Sequence, residues 1–151
     1  MKKVIMWILV ILWMGVIFYF SSFSGKDSTD QSQGFLSTTI RKVVLIFDKD
    51  ISEENLNVLV KKLDRPIRKC AHMSEYLVLC ILLCILIGCY NFEYKRVLLI
   101  AFITSVLYSI SDEVHQLFVF ERSGQILDVF IDSIGSLIGL VLYNLINNNK
   151  K

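Results

Sequence analysis

Four long apolar blocks, with the charges held between them and at their ends, constrain this chain more than any other feature. Residues 4–20, VIMWILVILWMGVIFYF, carry no charge. Residues 71–90 carry only His72 and Glu75, both in the first turns. Residues 97–120 carry Asp112, Glu113 and His115 near the far end, and residues 126–146 carry Asp128 and Asp132 near the start. A helix rises about 1.5 Å per residue, so crossing a hydrocarbon core of about 30 Å takes roughly 20 residues. Each block is close to that length. Four buried helices of a soluble bundle would each need a polar face, and residues 4–20 have none. A mean hydropathy of +0.57, with 54% hydrophobic residues, agrees, because a globular chain keeps about half of its residues for water. The expected fold is all-α: a polytopic membrane helical bundle with four transmembrane helices. Its partner is the lipid bilayer, and 1–151 form a single domain.

Residues 1–20 resemble a secretory signal in their MKK start. The apolar run is longer than a typical signal core, and the small-residue exit at Ser22 and Ser24 is weak. A retained first helix is expected. Cys70, Cys80, Cys84 and Cys89 read as small apolar fillers. Residues of one continuous helix make poor disulfides, and no zinc spacing is present. A net charge of +2 without a nucleic-acid motif gives no reason to invoke DNA or RNA.

The long connection, 21–69, reads as a surface segment of two amphipathic helices. Leu36, Ile40, Val43, Val44 and Phe47 form one apolar stripe, and Leu56, Leu59, Val60 and Leu63 form the other. Asp50 with Glu53 resembles a capping box, and Pro66 is expected to stop the second helix. Such helices lie on the membrane surface or cap the bundle. The other connections are short, so the last three helices alternate in direction. Lys2 and Lys3 beside a charge-free helix place both termini in the cytoplasm. A plain count of Lys and Arg outside argues the reverse, but 21–69 also carries seven acidic residues.

Three polar groups fall at one membrane side in either orientation. Arg68, His72 and Glu75 follow i, i+4, i+7, next to Lys69. Tyr108, Asp112, His115 and Gln116 share a face, with Glu113 beside it. Arg122 sits in the last loop, and Asp128, Asp132, Gly135 and Gly139 run down one face of the last helix. An isolated charge within the hydrocarbon costs a few kcal/mol on the lenient insertion scale, so these groups are expected to meet. Gly135 and Gly139, with Ser136, allow close helix approach. An ion network that merely fixes helix register is the simpler explanation. So many ionisable groups in one layer exceed that need, which favours a polar pocket open to one leaflet.

The chemistry of the pocket stays open at this point. His72, Glu75, Asp112 and His115 are candidate ligands for a divalent metal, the one cofactor the residues suggest. No His-Glu-x-x-His motif supports it. Arg68, Lys69 and Arg122 suit a phosphate or carboxylate, hence an anionic lipid or a lipid-linked cell-wall precursor. A metal-assisted enzyme acting on a lipid-linked phosphate is the alternative function, with no catalytic residue assigned. A proton-coupled exporter is weaker, because its coupling groups belong near the midplane between repeats.

At these residues the chain resembles the VanZ-like family. Arg68, Lys69, Ala71, His72, Glu75 and Tyr76 match one motif. Asp112, Glu113, His115, Gln116, Phe118, Arg122, Asp128, Asp132 and Gly135 match the other, and Ser21, Ser22 and Ser24 fit the serine run after helix one. Where the family usually has Pro two residues after the motif Phe, this chain has Phe120. The resemblance implies a small helical bundle in the bacterial plasma membrane and a link to the cell envelope and glycopeptide (teicoplanin) resistance. It supplies no reaction.

Overall fold

The computed structural model describes residues 1–23, 38, 39, 42, 44, 52–120 and 124–148. Four helices carry the fold among them: α1 (Lys2–Ser21), α2 (Glu53–Gly88), α3 (Tyr94–Gln116) and α4 (Ile126–Asn148). All four are long and apolar enough to cross a membrane, so the protein is a multi-pass membrane bundle.

The bundle is built around α2, which packs against all three of the others. The core joins Val10 and Ile17 of α1, Tyr76, Leu79, Cys80, Leu83 and Cys84 of α2, and Val97 and Ala101 of α3. α1 buries only Val10, Ile17 and Ser21, a stripe at i, i+7, i+11. Met6, Trp13 and Met14 pack partly against the core, and most of the remaining apolar surface is exposed, as a helix in lipid permits. The cysteines are free, with Cys80 and Cys84 buried in the core.

α4 lies closest to α2 where its glycines are. A Cβ on Gly135 would run into the carbonyl of Met73, and one on Gly139 would stand 2.6 Å from the carbonyl oxygen of Leu77. The two pairs are one turn apart on each helix. The expected role of Gly135 and Gly139 is therefore seen in backbone-to-backbone contact, as small residues four apart provide in membranes. At one end of the bundle, Trp7 Nε1 donates to Tyr90 Oη at 3.0 Å and Tyr94 Oη to Asn144 Oδ1 at 2.8 Å. These bonds put the start of α1 and α3 level with the end of α2 and α4.

Two expectations are corrected by α2. Its cap is Ser52, whose hydroxyl accepts from Asn55 N at 3.3 Å, whereas Asp50 lies outside the described residues. Pro66 does not end the helix. The second amphipathic stretch and the second span are one helix of 36 residues, about 54 Å long. Proline removes the partner of the Lys62 carbonyl. Lys62 and Pro66 are both exposed, so that carbonyl faces water or headgroups. The Arg68–Asp64 ion pair, 3.1 Å, spans the same turn. The part of α2 before the span projects beyond the bilayer, with Leu56 and Val60 buried against Val44, Leu59 and Leu63. The rest of the first stripe, Leu36, Ile40, Val43 and Phe47, lies outside the described residues.

α3 ends earlier than the apolar block, at Gln116, and the chain turns through Phe118 N to His115 O at 2.9 Å and Val119 N to Gln116 O at 3.1 Å. Such i to i+3 bonds satisfy the last carbonyls of a helix. Leu117, Phe118 and Phe120 that follow are exposed apolar residues. Asp112 is thus about one turn from the helix end.

Candidate functional site

The antiparallel course of α2, α3 and α4 decides what meets at the other end of the bundle. His72 of α2 is the centre. Its Nδ1 lies 3.2 Å from Glu75 Oε2, one turn on. It is also an electrostatic neighbour of Asp112 and Glu113 on α3 and of Asp132 on α4. Carboxylates from three helices therefore lie within electrostatic reach of one imidazole, with Glu75 in contact with it.

Each carboxylate is held by a different local device. Asp132 is 3% exposed and accepts from Ser109 Oγ at 2.7 Å. One turn deeper, Ser105 and Ser136 share a hydrogen bond of 2.8 Å, and Ser136 Oγ also reaches the carbonyl of Asp132 at 3.1 Å. Ser105, Ser109 and Asp112 follow i, i+4, i+7, so this hydroxyl column is one face of α3 turned on α4. Asp112, also 3% exposed, accepts from Gln116 Nε2 at 3.3 Å. Glu113 accepts the backbone N–H of Gln125 at 2.8 Å, just before α4, where an anion suits the positive end of a helix. Asp128 pairs with Lys69 across α4 and α2, with both side chains about a third exposed.

Around this layer several buried polar atoms have no hydrogen-bond partner: Ser21 Oγ, Tyr76 Oη, Asp112 Oδ1, His115 Nδ1 and Asp132 Oδ1, while Glu75 Oε2 has only its ion pair with His72. The Ser21 hydroxyl of α1 lies beside Asp112, yet neither that hydroxyl nor Asp112 Oδ1 makes a hydrogen bond of good geometry. Tyr76 is fully buried between Asp112, Asp132, Tyr108 and Ser109. His115 stacks on Phe18 of α1, with ring centroids 4.1 Å apart, and is also a neighbour of Asp112. Buried polar groups in native proteins nearly always find a partner in protein, water or ligand. An orphan costs about 1–3 kcal/mol, and several in one layer mark a place built for something polar.

The arrangement offers acceptors to a hydrogen-bonding ligand: carboxyl oxygens accept in either protonation state, and the serine and tyrosine hydroxyls accept as well as donate. The cations stand at the rim. Lys69 holds Asp128, and Arg68 turns to Asp64 on the projecting part of α2. Arg122 lies outside the described residues. Among the described residues no three of His, Cys, Asp or Glu are gathered so as to hold a metal ion. Of the candidate metal set His72, Glu75, Asp112 and His115, His72 and Glu75 pair on α2 and His115 lies against Phe18 of α1.

The structure thus brings together His72, Glu75, Asp112, Glu113, Gln116 and Asp132, sets His115 at the α1 edge, and places Lys69 and Asp128 at the rim. Sequence reasoning missed Ser105 and Ser109 as members, although their spacing to Asp112 was visible. It also missed Asp64 as the partner of Arg68, although Asp64 and Arg68 are four residues apart. Ser21 and Tyr76 were noted only as motif positions.

No curated protein and no solved structure matches the chain. The family model for VanZ/LLP1 matches residues 6–147, nearly all of the sequence, and the chain belongs to that family.

Proposed function

We propose that this protein binds, in the polar layer between α2, α3 and α4, the headgroup of an envelope lipid rich in hydroxyl or amine donors. The sugar of a lipid-linked cell-wall precursor is such a headgroup. The observation that carries this reading is the set of buried, unpartnered polar atoms of Asp112, Asp132 and His115, joined by the Tyr76 and Ser21 hydroxyls. Lys69 and Arg68 at the rim suit the anionic linkage that follows such a headgroup. With both termini cytoplasmic, the layer opens to the outer face, where glycopeptides meet their cell-wall targets. A link to glycopeptide response follows from that placement and from the family.

A metal-assisted reaction on the same lipid is the second reading. It requires the His72 and His115 sides of the layer to close around an ion, and His115 on Phe18 opposes that. Teicoplanin susceptibility of a deletion strain complemented with wild type, His72→Ala or Asp132→Asn tests the proposal. Variants that insert at normal abundance and fail to restore the wild-type response support it. Full restoration by both overturns it in favour of a register-fixing network.

A further inference from the structure

The same end of the bundle carries an open groove between the second half of α3 and the first half of α4. It holds about 490 Å³, within the range of ligand sites, roughly 300–1,000 Å³. Its walls are Val106, Ile110 and Val114 on one side and Ile126, Val129 and Phe130 on the other. Polar groups gather at one end, where Glu113 and Gln125 line it. Ser133, the other polar residue of the lining, turns its hydroxyl back to the Val129 carbonyl at 2.7 Å.

Glu113 belongs to both places. It closes the polar end of the groove, and it is a neighbour of Asp112, Asp128 and His72 in the polar layer. The groove and the layer therefore share a wall. We propose that the groove seats one hydrocarbon chain of the amphiphile whose headgroup occupies the layer, with Glu113 at the join. This rests on reading the layer as a headgroup site. Both walls belong to membrane spans, so the medium that meets the groove is hydrocarbon. The gradient from an apolar trough to a polar end matches an amphiphile, in which chain and headgroup are joined.

The test uses two photoreactive probes with the same diazirine chain, an alkyl glycoside and the corresponding methyl ester. The ester lacks headgroup donors. Full-length protein is labelled in phosphatidylcholine vesicles, and crosslinks in 106–133 are compared with those on the lipid face of α1. The glycoside should label the groove several-fold above α1, and the ester should not. Ile110→Trp and Val129→Trp, filling the groove from opposite walls, should each bring glycoside labelling down to the α1 level without a shift in melting. Labelling of wild type at the α1 level by both probes overturns the inference. If Asp112→Asn still loses the glycopeptide response in that case, the headgroup reading stands without the groove. Enriched labelling by both probes, unaffected by Asp112→Asn, also overturns it, because the chain would then bind without its headgroup.

Discussion

At the scale of single residues, the contrast is between charges that have partners and charges that lack them. Lys69 answers Asp128, and Arg68 answers Asp64. Asp112 has one amide and Asp132 one hydroxyl, and each keeps a buried oxygen without a partner. Spacing alone suggested that the ionisable groups of the layer would meet. It did not show that the cations are drawn to the rim, because the choice between Asp64 and a deeper carboxylate depends on how far a flexible arginine must be dehydrated. Ser109→Ala should remove the one donor that Asp132 has and lower stability by about 1–3 kcal/mol, read as detergent melting. Glu93→Ala should leave melting unchanged, because its pair with Arg96 at 3.4 Å is exposed on both sides and such pairs contribute little. Equal shifts for the two variants would contradict the burial assigned to Asp132.

At the scale of elements, the four spans were legible because an uncharged run of helical length has few other uses. Gly135 and Gly139 were legible as packing sites from their four-residue spacing. Pro66 was misleading. A proline frees the carbonyl four residues back and crowds it, and the exposure of Lys62 and Pro66 lessens that cost here by letting water or headgroups take the carbonyl. A local motif could not say which side of the helix would be wet. Two expectations follow. Gly135→Val should lower melting by about 3 kcal/mol or more, at the upper end of overpacking costs, because the Met73 backbone cannot move aside as a side chain can. Gly15→Val is the matched control, since a Cβ there meets nothing within 4 Å, and it should be near neutral. Pro66→Ala should preserve the long α2 and raise melting, since it restores a helical N–H at an exposed site. Loss of helical circular dichroism in Pro66→Ala would show that α2 is not continuous through that point.

At the scale of the whole molecule, polarity is distributed between two ends. One end is an interfacial belt of Trp7, Tyr90 and Tyr94 with Lys3 over the Tyr90 ring. The other end holds the buried carboxylates, the hydroxyl column and the groove. The column stops at Ser105 and Ser136. Toward the belt the α3 face continues as Ala101 and Val97, both buried and apolar. Orientation is the molecular-scale expectation to check first. Reporters fused after Lys151 and within 24–37 should read cytoplasm and exterior respectively, and the reverse would turn the polar layer to the cell interior.

The central claim is that the layer is kept polar for a ligand at a cost in stability. Asp112→Asn tests it most directly, with melting of the purified protein and glycopeptide response measured on the same variant. The substitution keeps the shape, removes one carboxylate of the buried layer, and retains an acceptor for Gln116. The account predicts that melting stays level or rises while the response is lost at normal membrane abundance. A fall in melting with the response retained would contradict it, and would make Asp112 a structural member of an ion network instead.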